Sequence, residues 1–149
     1  MQLTTLLPIA LAGLTTALPA ALQIQTITND IIWGVSNFTI GCSQGGCVFR
    51  YDIAGRPNEM TPKFRTHCSG ISEKKALCDD RNIATIVSPA GWSAKGDPEW
   101  TVDVTHTWKS HLSDKSLATW SQHGAKNVTV PDHNPVQFVM KPTQEYGVA

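Results

Sequence analysis

The chain has 149 residues, with 12 Lys+Arg against 12 Asp+Glu and only 16% charged positions. One domain fits this length, and the zero balance excludes a phosphate-tracking surface or a polybasic membrane patch. A hydrophobic share of 41% is enough for a core and excludes wholesale disorder.

The charges are unevenly placed: the first ionisable side chain after Met1 is Asp30. Leu3 to Leu18 is rich in Leu, Ala, Ile and Thr, interrupted by Pro8 and Gly13. A spanning helix needs about 20 firmly apolar residues with charged flanks, so this shorter, Thr-laced run predicts a secretory signal peptide over residues 1–17. Thr15 and Ala17 supply the small residues before the cut, and cleavage after Ala20 or Ala21 is the alternative. No Lys or Arg precedes the apolar run, which departs from the usual pattern. Residues 18–149 are then expected to form one secreted, extracellular domain.

Ile31 to Ile40 is β-branched and aromatic and predicts the first strand, followed by turn residues Gly41 to Gly46. The next run alternates, with Cys47, Phe49, Tyr51 and Ile53 on one face, until Gly55-Arg-Pro-Asn58 breaks it. Lys63 to Cys68 and Asn82 to Val87 are short candidate strands, the latter ended by Ser88-Pro-Ala-Gly91. Ser72 to Cys78 alone has helical appeal, amounting to a turn or two. From Trp100 to Lys109 the alternation is sharpest: Trp100, Val102, Val104, His106 and Trp108 share one face, as a strand with one buried side requires. Leu117 to Gln122 is expected to return antiparallel, and Val128 to Val130 and Val136 to Met140 add two more strands. About eight short strands at near-regular spacing predict an all-β fold, a single antiparallel barrel or sandwich.

The four cysteines, Cys42, Cys47, Cys68 and Cys78, suit an oxidising compartment. Three pairings are formally open. Cys42–Cys47 with Cys68–Cys78 is favoured, because each closes a short loop between strand-like segments. Their spacings lack the paired knuckles of a tetrahedral zinc site, so no metal is expected. Asn37-Phe-Thr39 and Asn127-Val-Thr129 make Asn37 and Asn127 candidate glycosylation acceptors.

Among the histidines, His106 points inward with the Trp face while Asp103 points outward, so they do not converge. His111 and Asp114 fall on a hairpin connection, His67 and His123 read as strand-end residues, and His133 lies in a Pro-Asp-His-Asn-Pro loop. No Gly-x-Ser-x-Gly elbow occurs, and no carboxylate pair is singled out. No catalytic residue and no cofactor are therefore expected. Trp92 and Trp100 are the candidate binding residues, both within a breaker-rich loop from Pro89 to Trp100. Trp92 either folds back as a lid, the plainer expectation, or stands free to stack on a sugar or partner surface. Trp33, Trp108 and Trp120 lie within strand patterns and read as core.

Trp33-Gly-Val-Ser-Asn-Phe-Thr, Cys-x4-Cys, Phe49-x-Tyr-Asp-Ile, Cys68-Ser-Gly and Pro142-Thr-Gln-Glu-Tyr-Gly-Val-Ala together resemble small secreted cysteine-containing proteins of filamentous fungi. The opening strands also resemble the start of the Alternaria major-allergen β-barrel family. The resemblance spans about residues 31–149 and implies a disulfide-stapled barrel acting as an effector or elicitor toward plant hosts. Members that dimerise covalently carry an odd cysteine, which four paired cysteines would lack, so a monomer or noncovalent homodimer is implied. The resulting expectation is a nonenzymatic protein that binds a plant-host or microbial protein or glycan, with no nucleic acid or membrane partner. The alternatives are a small secreted hydrolase acting on cell-wall polysaccharide or RNA, and a carbohydrate-binding module.

Overall fold

A computed structural model describes residues 31–132 and 135–148, without the side chains of 143–146. The proposed signal peptide, its cleavage sites and His133 lie outside the described residues. The strands are β1 (Trp33–Ser43), β2 (Gly46–Gly55), β3 (Phe64–Ile71), β4 (Ala76–Leu77), β5 (Ile83–Trp92), β6 (Pro98–His111), β7 (Leu117–Thr129), β8 (Val136–Met140) and β9 (Pro142–Val148). The fold is all-β, and the described residues include no helix.

Two antiparallel sheets face each other, ordered β3-β2-β1-β8 and β4-β5-β6-β7-β9, and they do not close into a barrel. Of the two expected architectures, the sandwich is the one formed. Its interior is made by the inward half of each alternating strand. Phe49, Tyr51 and Ile53 from β2 meet Trp100, Val102 and Val104 from β6, with Trp33, Phe38, Ile83 and Val87 filling between. Trp108 and Trp120, opposite each other in the β6–β7 register, form a smaller cluster with Ala118. Trp33, Trp108 and Trp120 are thus buried, as their strand positions predict.

Several strands are longer than sequence patterning implies, although β8 has the expected bounds, Val136–Met140. Ser88-Pro-Ala-Gly91 does not end β5: the register against β6 slips between Pro89 and Gly91 and pairing continues to Trp92–Pro98. Gly91 makes this bulge possible, since its φ of 130° is closed to most side chains. Gln122 and Val128 belong to one continuous strand, β7. β9 is an addition that the sequence pattern does not predict. The helical appeal of Ser72 to Cys78 is not realised, because Glu73 turns the chain at φ 64° and Ala76–Leu77 pairs with β5.

Both disulfides have the expected pairing, Cys42–Cys47 and Cys68–Cys78. The first joins opposed residues of the β1–β2 hairpin. The second ties β3, in one sheet, to the residue after β4, in the other. At the end of the sandwich near Gly55, the β2–β3 connection is pinned in place. Asn58 Oδ1 accepts from the Met60 and Thr61 amides, the Trp108 indole donates to the Met60 carbonyl, and Gln122 Nε2 donates to Thr61 Oγ1.

Candidate binding surface

The end of the sandwich remote from that pinned connection is open. Trp92 closes β5, and a tight turn follows in which Ser93 N–H donates to the Asp97 carbonyl and Ser93 Oγ accepts from the Asp97 amide. The turn holds the hairpin rigid but gives the indole nothing to fold against. Trp92 is 74% exposed, which overturns the lid expectation: its strand ends beyond the core, so no facing sheet lies opposite it. Trp100 keeps the inward position that its alternation predicts. It is 6% exposed, because it continues the inward face of β6, and it contributes a wall rather than a free ring. Both border a groove of about 460 Å³, together with Ile40, Val130, Pro131 and the carboxylates Glu99 and Asp132.

Around the sheet edge, the outer face of β1–β2–β3 carries two further grooves. One, of about 600 Å³, is bordered by Thr39, Val48, Arg50, His67 and Ser69. There Arg50 Nε donates to Thr39 Oγ1 at 3.3 Å. The other, of about 710 Å³, holds Asn37, Asp52, Arg65, His67, Asp79 and Asp80. Asp52 and His67 are direct cross-strand partners, and His67 Nδ1 lies 3.0 Å from Asp52 Oδ1. Asn37 Nδ2 donates to the other oxygen, Oδ2, at 2.9 Å. Asn37 reaches it from a bulge in β1 at φ 56°, a conformation its short polar side chain tolerates. The Asn37 amide, and after it His67, hold the Asp52 carboxyl below the usual carboxylate range. An ionised carboxylate only accepts, so Nδ1 must carry a proton, and the ring presents Nε2 on its other side.

The remaining histidines are disposed differently from their sequence reading. His67 and His123 are not strand-end residues but sit mid-strand in β3 and β7. His123 Nε2 lies 2.8 Å from Asp103 Oδ1 on the outer face of the second sheet. His106 points inward as expected and is 2% exposed, between the rings of Phe64 and Trp108. Burial pushes its pKa down to about 4, with the Asp80 charge opposing the shift. His111 is not on the connection but ends β6, opposite Leu117, whereas Asp114 lies on the β6–β7 turn, where its carboxylate accepts from the Ser116 amide and hydroxyl. Asn127 is exposed on β7 and accepts from Thr101 Oγ1, and Asn37 is exposed too, so both sequon side chains reach solvent.

Among the described residues no group of three His, Cys, Asp or Glu is placed to hold a metal ion, and no helix is long and apolar enough to cross a membrane. The outer-face grooves escape sequence reading because they depend on the strand register. Counting back from Gly55 opposite Phe64 is the signal that places Asp52 beside His67. The chain matches no known protein family, no curated protein and no solved structure.

Proposed function

We propose that the protein is an extracellular binding protein, effector- or elicitor-like, that acts by holding a host or competitor molecule at the Trp92 groove. The observation that carries this reading is the indole itself, 74% exposed at the lip of a groove on a rigid hairpin. Covering such a ring would recover transfer free energy on the order of 3 kcal/mol, and with Ile40, Val130 and Pro131 beside it the indole belongs to a contiguous apolar patch of the kind that marks contact sites. The resemblance to secreted fungal proteins supplies the plant-host setting.

The test is infiltration of the purified protein and its Trp92→Ala variant into leaves. A response to the wild type that is lost in the variant supports the reading, and equal responses from both would sink it.

A second reading, hydrolysis of a cell-wall polymer or RNA, is favoured by the Asp52–His67 pair, in which a carboxylate orients an imidazole as acid–base catalysis requires. A parallel degradation screen decides it: breakdown of polysaccharide or RNA by the wild type, lost in His67→Ala, would establish this reading in place of the first.

A further inference from the structure

The three grooves share walls. Ile40, Gly41 and Val130 border both the Trp92 groove and the Arg50 groove, and His67 borders both the Arg50 groove and the Asp52 cavity. We propose that they form one track and that it binds a linear, uncharged glycan. This rests on the contact reading above and names its ligand class.

The track follows β1 from Ser36 to Cys42, a distance of about 20 Å at strand rise, so a chain of several sugar units fits and a single sugar leaves most of it empty. Its chemistry changes along this length in the way a sugar polymer needs. At one end an exposed indole offers a flat apolar face for the C–H side of a ring. In the middle, the Thr39 and Ser69 hydroxyls and the Arg50 guanidinium offer donors and acceptors. At the far end the Asn37–Asp52–His67 network is already fixed by its own hydrogen bonds, so little ordering cost falls on binding.

Charge selects among polymers. Asp52, Asp79, Asp80, Glu99 and Asp132 line the track against Arg50 and Arg65. The excess of carboxylates repels RNA and anionic polysaccharides, whereas sugar hydroxyls donate to carboxylates and accept from guanidinium and imidazole. The competing occupant is an extended peptide added to the edge of β1, whose pairing with β8 stops at Phe38 while its pairing with β2 runs on to Ser43.

The experiment is calorimetric titration of the full secreted protein with cellohexaose, laminarihexaose and hexa-N-acetylchitohexaose, with the matching disaccharides, polygalacturonate, an RNA hexamer and a Thr/Val-rich hexapeptide beside them. The variants are Trp92→Ala, Arg50→Ala and Asp52→Asn, with His67→Gln as a second far-end change and near-UV circular dichroism to verify folding. The expected result is binding of at least one neutral hexasaccharide, weakened tenfold or more by a change at either end or in the middle. Its disaccharide should respond to Trp92→Ala alone. Hexasaccharide binding that depends on Trp92 but ignores Arg50, Asp52 and His67 overturns the track while leaving the contact reading intact. Preference for polygalacturonate, RNA or the peptide overturns the assignment of an uncharged glycan. Binding indifferent to Trp92 overturns both.

Discussion

Tyr51 on β2 donates its phenolic hydroxyl to Oγ1 of Thr85 on β5 at 2.6 Å, and Thr85 donates onward to the Asp103 carbonyl at 2.8 Å. A polar chain thus runs from one sheet into the other through the interior of the sandwich. Burial raises the Tyr51 ionisation well above the ordinary phenol range, with the Thr85 hydrogen bond opposing, so the hydroxyl remains a donor. Tyr51→Phe leaves Thr85 its onward bond and should cost about 1 kcal/mol. Thr85→Val strands the phenol without its acceptor in the core and should cost about 2–3 kcal/mol. Urea unfolding of both and of the double variant checks the order, and a double variant costing as much as the two singles added together would contradict a coupled chain.

His106 predicts a pH dependence with a defined sign. Its folded pKa of about 4 lies below the ordinary 6.5, so the unfolded chain binds the extra proton first. Its contribution is complete above pH 6.5 and is lost as the pH falls toward 4, a total of about 3 kcal/mol. Asp52, whose carboxyl is held below its usual range, loses its contribution only at still lower pH. Chemical unfolding at steps from pH 7 to pH 4 should show the decline, and His106→Gln should flatten it.

The alternation of Trp100, Val102, Val104, His106 and Trp108 is enough to make the inward face of β6 and the burial of His106 legible in the sequence. The contacts of His106 are not legible there, because Phe64 comes from the other sheet and no local pattern fixes which strands oppose. The same limit hides Asp52–His67, a pairing set by register. Pro89-Ala-Gly91 reads as a stop, yet an edge-relieving bulge uses the same residues. β9 is obscured by Pro142 and Gly147, both poor strand formers. Gly147 is needed because a Cβ there would sit 2.8 Å from the Trp120 ring.

The two disulfides should differ in value. Cys42–Cys47 closes a hairpin already aligned by its ladder, whereas Cys68–Cys78 closes a longer loop between layers and is buried. Chain-entropy reasoning gives about 2 kcal/mol for the first and about 3 kcal/mol for the second. Ser replacement of each pair, followed by thermal melting, should lower the midpoint more for Cys68/Cys78. The reverse order would place the main covalent constraint at the hairpin.

Fluorescence separates Trp92 from the other four tryptophans, all buried. Acrylamide should quench one accessible component, and Trp92→Ala should abolish that component while changing stability by less than about 0.5 kcal/mol. Persistent quenching in the variant would mean that a second indole is open to solvent.

The pinned β2–β3 connection at one end and the bare indole at the other give the molecule a head and a tail. Trp33, where β1 enters, and Val148, where β9 finishes opposite Thr119, both belong to the tail half. A surface or carrier coupled through either strand would therefore hold the protein with Trp92 facing outward, like a lamp on a post, and orientation on a sensor chip comes built into the topology.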